Sequence, residues 1–116
     1  MTAVEKVIST IQSHRFRYSE EEDLQEGIAA VLTAAGLDVQ REVHLDERDR
    51  IDLLVGSIGI EVKVAGSAED AFRQLARYAR HPEIEHLVLV TSQYQRLVKE
   101  VAGKPLTTIS LALAAL

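Results

Sequence analysis

Two hydrophobic periods alternate along the chain, and the switches between them divide it into elements. Residues 3–13 place Val4, Val7, Ile8 and Ile11 at helical spacing, which predicts an amphipathic first helix. The basic-aromatic stretch His14-Arg15-Phe16-Arg17-Tyr18 follows it. Ser19 with Glu22 has the spacing of a capping box, so a second helix is expected from near Glu20. Its apolar stripe is Leu24, Ile28, Val31, Leu32 and Ala35, and Gly36 supplies the stop.

After Gly36 the period falls to two. Val39, Val43 and Leu45 predict an extended segment over 38–45, and Asp46-Glu47-Arg48-Asp49 reads as a polar turn. Two short runs follow, Ile51–Val55 and Ile58–Val64, separated by Gly56-Ser57. Ser67 with Asp70 marks a helix over 67–80 that turns Phe72, Leu75, Ala76 and Ala79 inward. The continuous apolar run His86–Thr91 predicts a strand buried on both faces. Leu97, Val98 and Val101 predict a short helix over 94–102, and Pro105–Leu111 reads as a last strand. This order implies an α/β fold in a single domain spanning 1–116. A mixed β-sheet, a three-strand meander plus helix-connected strands, is flanked by helices. Residues 1–18 form an N-terminal helix and basic segment, and 19–111 form the core.

The paired runs carry the chemistry. Gly-Ser is a natural two-residue hairpin turn with glycine at the first central position. With that turn Val55 pairs with Ile58, Leu54 with Gly59, Leu53 with Ile60, and Asp52 with Glu61. Ile51, Leu53, Val55, Ile58, Ile60, Val62 and Val64 then share one apolar face. Arg50, Asp52, Leu54, Gly59, Glu61 and Lys63 share the other. Two carboxylates so placed have Cβ atoms about 4.5–5.5 Å apart and repel each other. Such a pair suits a hard divalent cation, and a lysine beside it can orient water or stabilise developing charge. A solvated hairpin face, with Lys63 neutralising Glu61, is the plainer alternative.

Composition narrows the classes. The chain has 116 residues, 47% apolar and 27% charged, as expected for one soluble globular domain. With no cysteine, disulfides, thiol catalysis and thiolate-bound zinc are excluded. There is neither an apolar run of membrane-spanning length nor a signal-peptide core, so no membrane is expected and a cytoplasmic location is. Net charge of −5 argues against non-specific coating of nucleic acid, but leaves room for local contacts through a few arginines and a metal. No glycine-rich phosphate loop is present, so no nucleotide cofactor is expected. His14, His44, His81 and His86 share no ligand spacing, and none is assigned a role.

Asp52, eight residues, then Glu61-Val62-Lys63 resembles the core motif of the PD-(D/E)xK nuclease superfamily, which includes restriction endonucleases and Holliday-junction resolvases. The order of elements over 19–92 is similar to theirs. Ile51 stands where the name-giving proline would be. The resemblance implies a restriction-endonuclease-like fold and magnesium-dependent hydrolysis of DNA, with manganese able to substitute. It implies that Asp52, Glu61 and the carbonyl of Val62 hold the ion and that Lys63 assists the attacking water. Family members often add an acidic or amide residue from the preceding helix. Glu21 and Gln25 lie about 60° and about 100° from Leu24 on a helical wheel, on the rim of the apolar stripe, and are the candidates. A glutamate run that complements the helix dipole is the alternative for them.

Gln74-Leu75-Ala76-Arg77-Tyr78 resembles the QxxxY motif of recombination-associated exonucleases of the same superfamily. Gln74 and Tyr78 are therefore candidate DNA contacts. Arg73, Arg77 and Arg80 form a basic stripe on the same helix and are candidates for positioning phosphates. A solvated face paired with Glu69 and Asp70 would give the same stripe. A homodimer is expected from the short chain and from apolar surface left on the first helix and the tail. The rival function is a catalytically silent nuclease-fold module that binds DNA or protein.

Overall fold

The computed structural model describes residues 1–93 and 98–114, the last two by their backbone alone. Helix α1 (Ala3–Gln12) opens on a reciprocal cap. The Thr2 hydroxyl accepts the Glu5 N–H at 3.1 Å, and the Glu5 carboxylate accepts the Thr2 N–H at 3.2 Å. Helix α2 (Glu21–Ala34) is capped differently from the Ser19–Glu22 expectation. Asp23, not Glu22, accepts the N–H groups of Ser19 and Glu20 at 3.2 and 3.0 Å, together with the Ser19 hydroxyl. Glu20 takes the N-cap position, so the reciprocal partner falls three residues later, on Asp23.

Strands β1 (Gln40–His44), β2 (Arg50–Val55) and β3 (Ile58–Lys63) form an antiparallel meander. Helix α3 (Ala68–Ala79) carries the chain to β4 (His86–Thr91), which runs parallel to β3. Strands β5 (Glu100–Val101) and β6 (Lys104–Ser110) complete a six-stranded mixed sheet of order β1-β2-β3-β4-β6-β5, and α4 (Leu111–Ala114) follows. The fold is α/β.

Apolar positions sort onto two faces of this sheet. Val7 and Ile11 of α1 and Leu24, Ile28 and Leu32 of α2 bury against Leu53, Val55, Ile60, Val62 and Val90. On the opposite face Leu75, Tyr78 and Ala79 of α3 bury against Ile51, Ile84, Leu87 and Leu89. Strands β3 and β4 lie between the two layers, which is why both read as nearly continuous apolar runs.

Three expectations change. The apolar stripe of α1, one motive for a homodimer, is used within the chain: Val4 and Ile8 also pack on the core. Helix α3 buries Ala71, Leu75, Tyr78 and Ala79, whereas Phe72 is 40% exposed. Tyr78 wins the inner position because its hydroxyl finds a buried acceptor there. The expected helix over 94–102 is the third. Residues 94–97 lie outside the described residues, but Glu100–Val101 is a strand paired with Pro105 and Lys104. Ala102 and Gly103 turn the chain with φ of +47° and +82°, as a two-residue hairpin of type I′ requires. That local turn outweighs the helical spacing of Val98 and Val101. The last strand also ends one residue early, since Leu111 opens α4. No helix among the described residues is long and apolar enough to cross a membrane.

Candidate functional site

The Gly56-Ser57 turn sets the site. Gly56 has φ of +59°, and the pairs Val55–Ile58, Leu54–Gly59 and Leu53–Ile60 follow as expected. There the ladder between β2 and β3 stops. Asp52 does not pair with Glu61 through the backbone, and its other neighbour, Glu42 of β1, has φ of +50°. A non-glycine residue in that region is strained by about 1–3 kcal/mol. Beyond this irregularity β2 changes face: Ile51 packs with α3 and not, as alternation predicts, beside Leu53. Gly59 makes room for it, since a Cβ there would lie 2.4 Å from Ile51 Cδ1.

Side chains replace the missing ladder. The Val62 N–H donates to Asp52 Oδ2 at 2.9 Å, and the Asp52 N–H donates to Glu61 Oε1 at 3.3 Å. Asp52 and Glu61 are thus brought together, each carboxylate bonded to the opposite strand. Glu61 is 2% exposed. Burial, and then the charge of Asp52, push its carboxyl from the ordinary 4.5 up to about 8, against the pull of Lys63. Burial also raises Asp52, opposed first by the Val62 N–H. Lys63 Nζ lies 3.5 Å from Glu61 Oε2.

Helix α2 enters from the side. Glu21 is half-buried, and burial raises its carboxyl, countered by the charge of Lys63 and a hydrogen bond from the Val64 backbone. The charge of Asp52 raises it further. Glu21 is therefore close enough to feel both charges, though its carboxylate does not join Asp52 and Glu61 in one cluster of ligand spacing. Glu22 is exposed and points away. Gln25 is buried one turn further on and makes no hydrogen bond to Asp52 or Glu61 among the described residues. In an antiparallel ladder a bonded pair exchanges both its N–H and C=O groups. The Val62 N–H points to Asp52, so the Val62 C=O lies on the same edge of β3. Two adjoining carboxylates with a backbone carbonyl on their edge are oxygen groups of the kind a hard divalent ion takes.

Helix α3 does not present the surface expected of it. Tyr78 is 1% exposed; its hydroxyl donates to the Arg50 carbonyl at 2.9 Å and lies 3.5 Å from Glu61 Oε2. It is a neighbour of the carboxylate pair and offers almost no surface to a partner. Burial, then the charges of Glu61 and Asp52, raise its phenol. Gln74 is half-buried and does not share a partner with Tyr78. Arg77 is also reassigned: its Nε donates to Asp49 Oδ1 at 3.0 Å. Arg73 pairs with Asp70 in solvent, and Arg80 is exposed at the end of the helix.

A second group went unnoticed in the sequence. Asp46, Asp49 and His81 each offer a ligand atom within 4.8 Å of the others, a set able to hold a metal ion. Asp49 is 5% exposed. Burial pushes its carboxyl up, but hydrogen bonds from His81 and Arg77 outweigh that and hold it below the usual range. His81 lies 32 residues from Asp49, so only the fold joins them. The acidic turn was legible, and its partner was not. No family model, curated protein or solved structure matches this chain.

Proposed function

We propose that the chain is a magnesium-dependent nuclease of PD-(D/E)xK type, with a restriction-endonuclease-like fold, that hydrolyses phosphodiester bonds in DNA. The observation that carries this reading is the Asp52–Glu61 pair with Lys63 beside it, placed where β2 leaves β3. Burial disfavours the charged forms of both carboxyls, and Lys63 offsets this only in part, so a divalent cation such as magnesium or manganese would stabilise the ionised pair. Asp52, Glu61 and the Val62 carbonyl would hold the ion; Glu21 and Gln25 would complete its surroundings from α2. When bound, the ion polarises the scissile phosphate and lowers the pKa of a water. Lys63 orients that water and stabilises charge on the phosphate oxygens. A homodimer is part of the proposal, now on chain size and the apolar tail, whose residues 115–116 lie outside the described residues.

The catalytically silent binding module is the second reading. The intrachain pairing of Arg73 and Arg77 leaves α3 fewer cations for phosphates, which weighs against DNA handling and toward a module that binds protein. Incubating the purified chain with supercoiled, linear, single-stranded and branched DNA, with magnesium or manganese, separates the two. Cleavage that Lys63→Ala abolishes supports the nuclease. Binding without cleavage by the wild type supports the module.

A further inference from the structure

We propose that Asp46, Asp49 and His81 form a second divalent-metal site, of the zinc class, that clamps the β1–β2 turn to the end of α3. His81 Nε2 lies 3.0 Å from Asp49 Oδ2 and 3.4 Å from Asp46 Oδ2. A tetrahedral zinc ion at its usual bond lengths holds its ligands about 3.4 Å apart, close to both distances from the imidazole, and the three ligand atoms all lie within 4.8 Å of one another.

Each ligand is also held from behind. Asp46 Oδ1 accepts the N–H groups of Arg48 and Asp49 at 2.7 and 2.6 Å, which leaves Oδ2 facing the imidazole. Asp49 Oδ1 accepts from Arg77, which leaves its own Oδ2 facing the same point. His81 Nδ1 lies 3.5 Å from Glu83 Oε1. Histidine ligands of metals commonly have a carboxylate beside their second nitrogen, the place Glu83 takes here as a charge neighbour. The two aspartates, each with one oxygen tied and the other turned to the imidazole, make a prepared site. On binding, Nε2 gives its lone pair to the ion and any proton on it passes to solvent, while Nδ1–H is retained toward Glu83. The imidazole distinguishes this site from the all-oxygen set at Asp52 and Glu61 and selects zinc over magnesium.

The test is zinc and magnesium titration of the full chain, read by calorimetry and by the imidazole nitrogen resonances of His81. One equivalent of zinc should shift His81 Nε2, and excess magnesium should not. Asp46→Asn keeps the oxygen that caps the turn but removes the charge, and should weaken zinc binding on the order of tenfold or more. His81→Gln should abolish this site, while Asp52→Asn should leave it intact. An unmoved His81 resonance, or zinc affinity unchanged in both Asp46→Asn and His81→Gln, overturns the proposal and leaves an ion-pair cluster. The wild-type resonance decides the matter even where a variant fails to fold.

Discussion

Replacing Glu61 with glutamine should stabilise the metal-free protein at neutral and alkaline pH. The Glu61 carboxyl titrates at about 8 in the folded chain, against an ordinary 4.5. A carboxyl raised on folding binds more protons folded than unfolded, so stability falls as pH rises between the two values. From about pH 5.5 to about pH 8 the single-site relation gives a loss of about 3 kcal/mol, or about 10 °C in melting temperature for a chain of this size. Burial raises Asp52 and Glu21 as well, and their loss has the same sign. Glu61→Gln keeps the shape and removes the charge, so its melting temperature should fall less than that of the wild type over that range, by the part owed to Asp52 and Glu21. The assay is thermal melting in chelator at both pH values, repeated with millimolar magnesium or manganese. Cation should restore the wild type at the higher pH and leave the variant unmoved, because a ligand stabilises only through its affinity for the native state. A wild type equally stable at both pH values without metal refutes the reasoning. So does a variant destabilised equally at both.

Lys63→Ala should abolish cleavage while the melting curve and its cation shift stay nearly as in the wild type; wild-type cleavage rates would remove Lys63 from the mechanism. Asp52→Asn should lose both activity and stabilisation by cation, measured by the same melts. Gly59→Ala should destabilise by about 1–3 kcal/mol in chemical unfolding, since its methyl meets Ile51, Ile84 and Leu87 in a filled layer. If Arg73 and Arg80 hold DNA phosphates, their joint replacement should lower the slope of log affinity against log salt by about 0.9 for each phosphate no longer neutralised. Arg77→Ala should instead lower stability, because it leaves Asp49 buried and short of a partner.

What was legible in the sequence depended on range. The Gly56-Ser57 turn and the strict alternation of Leu53, Val55, Ile58 and Ile60 set the hairpin register, because both signals are local. The same register put Asp52 level with Glu61 and made the pair visible. Glu21 was placed by helical geometry alone, one wheel position from Leu24. The failures were of two kinds. Ala102-Gly103 was a turn signal hidden under an apolar run of helical spacing, and residues in that run became β5. The face of Ile51, the burial of Tyr78 and the Asp49–His81 contact were not legible for another reason. Each owes its place to a residue at least 28 positions away or to a change of face that no local pattern records.

That change of face is also what makes the site. In an uninterrupted ladder the Val62 N–H would bond to the Ile51 carbonyl, and Asp52 and Glu61 would be two side chains standing over a closed hairpin. With β1 kinked at Glu42 and β2 changing face beside it, the peptide of Val62 faces the Asp52 carboxylate, and that of Asp52 faces Glu61. Ile51 moves into the α3 layer, where the absence of a side chain on Gly59 receives it. Tyr78, packed against Ile51 in that layer, then reaches the Arg50 carbonyl and closes over Glu61. One irregularity in two strands therefore turns the Val62 and Asp52 N–H groups onto the two carboxylates and brings a phenol beside Glu61. Strain of this kind persists only where the surrounding packing over-determines it, and here both layers do so: Leu53 is anchored under α2 and Ile51 under α3, with Asp52 between them.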